Sequence, residues 1–220
     1  MRRALVAWLF PSLAVAAPNE IKVFTDELAA HREHTLELHA NRGAGQTRFM
    51  PEYSYGAWTN WEVSLQLPLV WSDGVRAEGY RAELQYIAPH SAASGLYWGA
   101  NFEVARVERV GEESFWSAEL IPIVGWRGGA WHLVANPGAS AMLSGERKRS
   151  FDPAAKIAYS TAPRSAFGFE YYAEGETRSH WLYLAWDGKI AGSDINVGVG
   201  RGFSGAADRW VVKTIFEIAF

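Results

Sequence analysis

The chain has 220 residues, a formal net charge of −3 and no cysteine. The mildly acidic balance argues against a general nucleic-acid-binding role, and the lack of cysteine excludes a fold held together by disulfides. Past the N-terminus no stretch approaches the roughly 18 consecutive apolar residues that a transmembrane helix requires. Eleven tryptophans, nine tyrosines and eleven phenylalanines are many for this length, and the fold must accommodate them.

The N-terminal residues have the pattern of a secretory signal peptide. Arg2 and Arg3 precede a short apolar run, and Ala14-Val15-Ala16 provides a cleavage site of small residues. We therefore predict a signal peptide over residues 1–16 and export of the mature chain. Residues 17–33 are expected to form a periplasmic extension. As an alternative, part of this stretch could form a short strand or helical turn that partly plugs the following domain.

From about residue 34 onward the sequence alternates apolar and polar residues in segments of roughly ten, separated by turn-forming residues. We see no change in composition that would mark a second domain, so residues 34–220 are predicted to form one domain. Twelve strands are predicted as a meander of antiparallel hairpins: 34–42, 48–58, 60–71, 79–88, 95–106, 114–126, 130–143, 151–161, 166–174, 180–187, 194–201 and 209–220.

The stretch from Trp61 to Trp71 indicates what the apolar faces contact. Every odd position in it is apolar or aromatic, and the face begins and ends with tryptophan. Ten residue steps tilted by about 40° rise roughly 25 Å, which is the height of the lipid-facing band of membrane barrels. A soluble β-sandwich, the alternative, would place its aromatic residues in mid-strand rather than at strand ends.

Several other tryptophans also lie near strand ends, where a barrel meets the two membrane–water interfaces. The predicted interfacial aromatic residues are Trp61, Trp71, Trp98, Trp126, Trp131 and Trp210. The last strand, RWVVKTIFEIAF, alternates in the same way and ends in Phe220. It resembles the C-terminal assembly signal of bacterial outer-membrane proteins, and Phe216, Ile218 and Phe220 are the residues that carry this likeness.

The connections differ between the two ends of the strands. Those after even-numbered predicted strands are mostly short, such as Thr59-Asn60 and Pro163-Arg164, whereas those after odd-numbered strands are longer or more charged. Bacterial outer-membrane barrels have short periplasmic turns and longer external loops. The sequence therefore predicts an all-β fold: a closed, antiparallel transmembrane β-barrel of about 12 strands in the bacterial outer membrane, with both termini in the periplasm.

The wider pattern also has a family likeness. The stretches EIKVFTDELAAHREHTLELHANRG, PEYSYGAWTNWEVSLQLPL, FDPAAKIAY and RGFSGAADRWVVK resemble a poorly characterised group of proteobacterial outer-membrane barrels. That group is loosely similar to the outer-membrane transporters of the phenol-degradation-pathway type. The resemblance implies the barrel architecture and a transport role, but it names no solute.

Prolines argue against an uninterrupted barrel wall. Five of them fall within predicted strands, and a closed barrel has no edge strand to receive a residue without an N–H donor. We therefore expect bulges or strand ends at Pro51, Pro68, Pro122, Pro137 and Pro153.

If the apolar faces look outward, the alternate positions look into the lumen, where eight glutamates face four basic residues. This surplus favours a narrow passive channel for cations or for small solutes with amino or hydroxyl groups. In the alternative, the basic residues pair with the glutamates and close the barrel. The residues proposed to select the solute are Glu52, Glu62, Arg81, Glu83, Glu103, Glu119 and Lys156.

An enzyme is not favoured, because no histidine and serine are spaced so that their side chains share one face of a strand. No catalytic residue, cofactor or metal site is predicted; His31 and His34 are interpreted as solvated periplasmic residues. The expected partners are outer-membrane lipid and lipopolysaccharide, the outer-membrane assembly machinery and a small solute. The loop cations Arg147, Lys148 and Arg149 are either lipopolysaccharide contacts or a solvated loop.

Overall fold

A computed structural model describes residues 21–43, 45–91, 95–145, 147–205 and 209–220. The predicted signal peptide, residues 1–16, lies outside this part of the chain. Among the described residues no helix is long and apolar enough to cross a membrane. The strands are β1 (His34–Arg42), β2 (Thr47–Trp58), β3 (Trp61–Gln66), β4 (Leu69–Trp71), β5 (Val75–Ala77), β6 (Gly79–Ile87), β7 (Gly95–Val107), β8 (Phe115–Gly128), β9 (Trp131–Met142), β10 (Arg149–Ala162), β11 (Ser165–Glu174), β12 (Ser179–Ile190), β13 (Ser193–Phe203) and β14 (Trp210–Ala219).

These strands close into an antiparallel barrel whose wall is twelve strands around, which confirms the predicted fold class. Neighbours in sequence are neighbours in the wall, and β1 pairs with both β2 and β14. At this closure Glu37 lies between Glu52 and Glu217 in register. Because the last strand hydrogen-bonds to the first, the wall leaves no open edge, as a strand structure in lipid requires.

The predicted strand 60–71 is interrupted in the structure. It consists of β3 and β4, separated at Leu67 and Pro68, and β4 continues into the short β5, which the sequence prediction treated as a loop. Together β4 and β5 form a small hairpin that pairs with the start of β2. Pro51 lies in β2 beside this interruption, and its carbonyl accepts a hydrogen bond from the N–H of Leu67.

The other three prolines lie in one row across β8, β9 and β10. Pro137 pairs directly with Pro153. Between β8 and β9 the paired residues stop at Leu120 and resume at Val124, so the ladder has a gap where Pro122 faces Pro137. The structure has a strand end at Pro68 and a gap in the β8–β9 ladder at Pro122 and Pro137. Pro153 lies in β10 without a break in its pairing with β9, so the bulge or strand end expected there is not found.

The two rims of the barrel differ as predicted. One rim has two-residue turns at 59–60, 129–130, 163–164 and 191–192, and both β1 and β14 have their terminal ends there. Backbone φ is positive in each of these turns, for example 67° at Asn60 and 65° at Arg164, which is typical of tight hairpins. We call this the short-turn rim. The opposite rim has the longer connections, such as 108–114 and 143–148.

The apolar faces of the strands point away from the barrel axis. Leu65 is 61% exposed and Phe102 is 46% exposed, whereas Glu62 and Glu103 on the alternate positions are 7% and 6% exposed. All the predicted interfacial tryptophans lie on the outer face. Five of them are exposed there, and Trp61 is half-buried against Tyr86, with ring centroids 4.6 Å apart. The inside–outside assignment made from side-chain parity thus holds throughout the wall.

Candidate functional site: the barrel interior

Residues 21–26 are buried or half-buried against the barrel interior, whereas Glu27 and residues 30–32 are exposed, and residues 21–33 have no regular secondary structure. From β1 the chain runs past Gly56 in β2, where the N–H of Arg32 donates to its carbonyl over 2.8 Å. It then crosses the short-turn rim to Arg127 and turns inward along β9, β11 and β14. We call residues 21–33 the plug. The contacts of residues 21–26 favour a partial plug, although residues 21–33 form neither a strand nor a helix; residues 17–20 of the predicted periplasmic extension lie outside the described part of the chain.

One side of the interior is polar. We call it the acidic wall; it is formed by β1, β2, β3, β6 and β7, and its lumen-facing residues are Glu37, His39, Glu52, Ser54, Glu62, Ser64, Gln66, Glu83, Gln85, Asn101 and Glu103, all buried. Hydrogen bonds connect these groups to one another. The Gln66 amide donates to Glu52 over 3.1 Å and to Glu83 over 2.6 Å, and the Asn101 amide donates to Glu83 over 2.8 Å. Several acceptors thus share each donor.

The other side of the interior is apolar, which the sequence reading did not specify. We call it the aromatic wall; its buried residues pack with Val23 and Phe24 of the plug in one cluster, and they are Ile87, Tyr97, Ile121, Ile123, Val134, Tyr172, Trp181, Tyr183 and Val211. The signal was present in the sequence, because Ile121 and Ile123 alternate with outward-facing Leu120 and Val124. Selecting only polar residues for the lumen overlooked it.

One ion pair is embedded in the aromatic wall. Lys213 donates a hydrogen bond to Glu170, and both side chains are 1% exposed. The ammonium also donates to the Tyr172 hydroxyl over 3.0 Å and to the carbonyl of Ile21 over 2.8 Å. It lies 5.2 Å from the centre of the Tyr172 ring and 5.6 Å from that of Tyr183. A buried charge requires such compensation, and here the plug backbone provides part of it.

The plug contacts the acidic wall through charge. The Lys22 ammonium donates to Glu37 over 2.8 Å and lies 3.6 Å from an oxygen of Glu52. Further along, the N–H of Ala29 donates to the Glu62 carboxylate over 2.6 Å. The plug backbone also accepts a hydrogen bond from Asn136 of β9, over 3.1 Å, at the carbonyl of Phe24. Each side of the interior therefore holds the plug at identified atoms.

At the short-turn rim Asp26 fastens the plug. Arg127 donates to both of its carboxylate oxygens, over 2.6 and 3.0 Å, and His90 is 3.0 Å away. Burial alone raises the pKa of Asp26, but the hydrogen bonds from Arg127 and His90 outweigh it and lower the pKa below its ordinary value of 3.8. This arrangement, which we call the rim clamp, stays ionised at neutral pH.

The structure places the predicted solute-selecting residues on the interior but does not gather them into one ring. Glu52, Glu62, Glu83 and Glu103 are buried in the acidic wall, and Glu119 is half-buried on β8. The two predicted cations are paired. Arg81 donates to Glu103 over 3.2 Å, and Lys156 donates to Asp187 over 2.8 Å and lies 3.3 Å from Glu170.

Other predicted residues also have defined positions. Phe216 is half-buried and Ile218 and Phe220 are exposed at the end of β14. His34 stacks on Phe220 and donates to, or accepts from, the Tyr53 hydroxyl at 2.6 Å, while His31 is exposed. In the described residues no hydrogen bond joins a serine hydroxyl to a histidine ring. Sequence reasoning missed Lys22, Asp26, Arg127 and Tyr172, because they acquire their partners only when the plug is inserted.

In this conformation the interior is closed at its centre. Glu52 of the acidic wall is 1% exposed, and Trp181 and Tyr183 of the aromatic wall are fully buried. No water-sized space therefore lies beside these side chains while the plug is in place. A barrel of twelve strands is wider than an eight-stranded one, whose own side chains fill the interior. Here the plug occupies the additional width.

Comparison with known proteins places the fold among outer-membrane β-barrels. The structure is similar to that of the KdgM porin, with a TM-score of 0.59 and 9% identity over 84% of this chain and 99% of that chain. It is similar to the KdgM porin in complex with disordered oligogalacturonate, with a TM-score of 0.58 and 9% identity over 84% and 98% of the two chains.

A third similar structure is an active-site mutant of outer membrane phospholipase A from Escherichia coli, with a TM-score of 0.51 and 11% identity over 88% of this chain and 91% of that chain. No family model matches the sequence, and no curated protein matches it. The resemblance to transporters of the phenol-degradation type therefore gains no support from these comparisons. What they show is a fold shared by porins and by outer-membrane enzymes.

Proposed function

We propose that this protein is an outer-membrane channel for small solutes that its own plug closes in the conformation described here. The observation that carries the proposal is the position of the plug, whose residues 21–26 lie between the acidic wall and the aromatic wall of a twelve-stranded barrel. Location in the outer membrane is part of the proposal. It is supported by the fold, by the predicted signal peptide and by the C-terminal strand ending in Phe220.

The way the plug is held supports a segment that can leave. It has no regular secondary structure, so its release breaks no ladder of the barrel wall. Its contacts are ion pairs and hydrogen bonds to the wall, with Val23 and Phe24 in the buried apolar cluster and Leu28 packed against it. Segments with few backbone hydrogen bonds of their own open at lower free energy than the elements around them. The wall can therefore remain folded while the lumen opens.

The charge of the acidic wall indicates the class of solute. The interior presents eight glutamates and four basic residues on the strands, and the basic residues Arg81, Lys156 and Lys213 are paired with carboxylates. A surplus of carboxylates attracts cations and repels anions. The proposed solutes are thus small cations or molecules with amino or hydroxyl groups. The oligogalacturonate seen with the KdgM porin carries a carboxylate on each sugar and is of the opposite charge class.

A closed barrel without conductance is the second candidate. The paired cations favour it, because the pairs formed by Arg81, Lys156 and Lys213 brace neighbouring strands without any solute. An outer-membrane lipid-modifying enzyme is the third candidate, and the sequence favours it least, because no histidine and serine are spaced to share one face of a strand. Lipid, lipopolysaccharide and the assembly machinery remain proposed partners.

Planar-bilayer recordings test the channel. We expect the folded wild-type protein to give rare openings, and the rim-clamp variants Asp26→Asn and Arg127→Gln to open more often by about tenfold or more, since each removes a charge-assisted hydrogen bond. Glu112→Gln is the matched control, because the Glu112 side chain is 55% exposed and lies at the opposite rim. Charge reversal at Glu62 and Glu83 is expected to reduce cation preference in the open state. Absence of current in all variants would favour the closed barrel.

A further inference from the structure

Glu37, His39 and Glu52 form a compact group of potential metal ligands in the acidic wall. One donor atom from each lies within 4.8 Å of the other two. The His39 Nε2 atom is 3.0 Å from a Glu37 oxygen and 3.3 Å from a Glu52 oxygen. The side chains come from adjacent positions of β1 and β2, where Glu37 pairs directly with Glu52. The group is therefore fixed by the strand register of the barrel closure.

A cation already lies in this group, and it belongs to the plug. The Lys22 ammonium is 2.8 Å from a Glu37 oxygen and 3.6 Å from a Glu52 oxygen. Two carboxylates this close to each other and buried require a positive charge nearby. When the plug leaves the lumen, Lys22 leaves with it. The remaining wall then presents two carboxylates and an imidazole that need another cation.

We propose that Glu37, His39 and Glu52 form a binding site for a divalent transition-metal ion, and that Lys22 of the plug occupies this site as a competing cation. Imidazole nitrogen and carboxylate oxygen are ligands for zinc and its neighbours in the first transition series. Three protein ligands leave coordination positions for water. The distances of 3.0 and 3.3 Å that join the imidazole to the carboxylates are those of donor atoms that can share one ion after a small inward shift.

The histidine provides an independent reason to expect a ligand here. His39 is 2% exposed, and its Nδ1 atom has no hydrogen-bond partner in the described part of the chain. In the plugged state Nε2 faces the two carboxylates and donates its proton to them. Metal binding would use the Nε2 lone pair, so the proton that Nε2 shares with the carboxylates must leave that atom.

Competition has a consequence for the plug. A metal ion and the Lys22 ammonium cannot occupy the same carboxylates, so metal binding and the Lys22–Glu37 ion pair exclude each other. By linkage, whatever weakens the hold of Lys22 strengthens metal binding to the same extent. The metal site does not depend on conductance, since it can be present in a barrel that never opens to solutes.

Zinc binding to the folded mature chain in detergent micelles tests the proposal, by titration calorimetry with Zn²⁺ as the probe. We expect Lys22→Met to bind a single zinc ion at least about tenfold more tightly than the wild type, and Lys22→Arg, which keeps the cation, to match the wild type. His39→Gln and Glu52→Gln in the Lys22→Met background are expected to lose that gain. His31→Gln is the matched control, because His31 is exposed and outside the group.

Two results of the zinc titration would overturn the proposal. Equal zinc affinity in Lys22→Met and the wild type would overturn the competition, and full affinity in the His39→Gln variant would overturn the site. Circular dichroism of each variant confirms that the barrel is folded. Should Lys22→Met fail to fold, Lys22→Gln serves in its place. A bilayer experiment without current would contradict the channel and leave these binding results untouched, so the two proposals fail separately.

Discussion

The acidic wall and the aromatic wall hold their buried polar groups in different ways. In the acidic wall Glu52 has Gln66, Ser54 and His39 as neighbours, so this carboxylate has more than one partner. In the aromatic wall Lys213 lies between tyrosine rings, and its partner Glu170 also accepts hydrogen bonds from Tyr172 and Asn196. The barrel interior therefore holds carboxylates either among neutral amides and hydroxyls or against a buried ammonium. Loss of one group should cost far more in the second case.

Lys213→Ala is expected to cause the largest loss of unfolding free energy. It leaves Glu170 buried with only Lys156 as a cationic neighbour, and breaking a buried pair from one side costs about 3–5 kcal/mol. Urea unfolding in micelles measures the change. Lys189→Ala is the matched control, because its ion pair with Asp194 is exposed and is expected to contribute at most about 1 kcal/mol. An equal loss of unfolding free energy in both variants would contradict the proposed difference between the two walls.

Asp26→Asn is expected to have an intermediate effect on the stability of the plug, and this effect depends on pH. Its folded pKa is lowered, so ionised Asp26 stabilises the plug above the ordinary value of 3.8, and that contribution is lost as pH falls through the folded pKa. Hydrogen bonds to a charged group are worth about 1.5–3 kcal/mol. Hydrogen exchange of the plug amides, corrected for intrinsic rates, should therefore increase about 10- to 100-fold in Asp26→Asn at neutral pH.

The same exchange measurement in acid checks the sign. At low pH the wild-type plug should approach the Asp26→Asn rate, while Glu112→Gln, at the opposite rim, should follow the wild type at every pH. A difference between Asp26→Asn and the wild type that persists unchanged at low pH would contradict a clamp that depends on ionised Asp26.

Ser64→Ala, which tests the acidic wall, is expected to cause the smallest loss of unfolding free energy. The Ser64 hydroxyl lies 2.8 Å from that of Ser54, which keeps a second partner in Glu52 at 3.2 Å. We expect a loss of about 0.5–1.5 kcal/mol in the same urea unfolding experiment. A loss of unfolding free energy as large as that of Lys213→Ala would mean that the acidic wall tolerates the removal of a polar group no better than the aromatic wall does.

Side-chain parity predicted the barrel wall because the period of a strand is two and lipid selects one face. Strand number, closure and the outward positions of Trp71 and Trp210 all follow from that alternation. The break at Pro68 was foreseen because proline lacks an N–H, whereas β5 was missed because its three residues are too few to show a period.

The interior was less predictable. Alternation states which residues face inward, but it does not state what fills the space between them. The pairing of Lys22 with Glu37 and of Asp26 with Arg127 joins residues 15 and 101 positions apart. Such contacts depend on where an irregular segment lies, and no period in the sequence encodes that. The plug, the rim clamp and the metal-ligand group therefore became visible only in three dimensions.

The position of the plug can be measured directly, because the chain contains no cysteine and a single introduced thiol reports on one site. Val23 is 8% exposed inside the lumen, and the Glu27 side chain is 82% exposed at the rim. We predict that a water-soluble maleimide labels Glu27→Cys at the rate of an exposed thiol and labels Val23→Cys at least about 100-fold more slowly in the folded protein. Equal labelling rates at the two positions would contradict a plug inside the barrel.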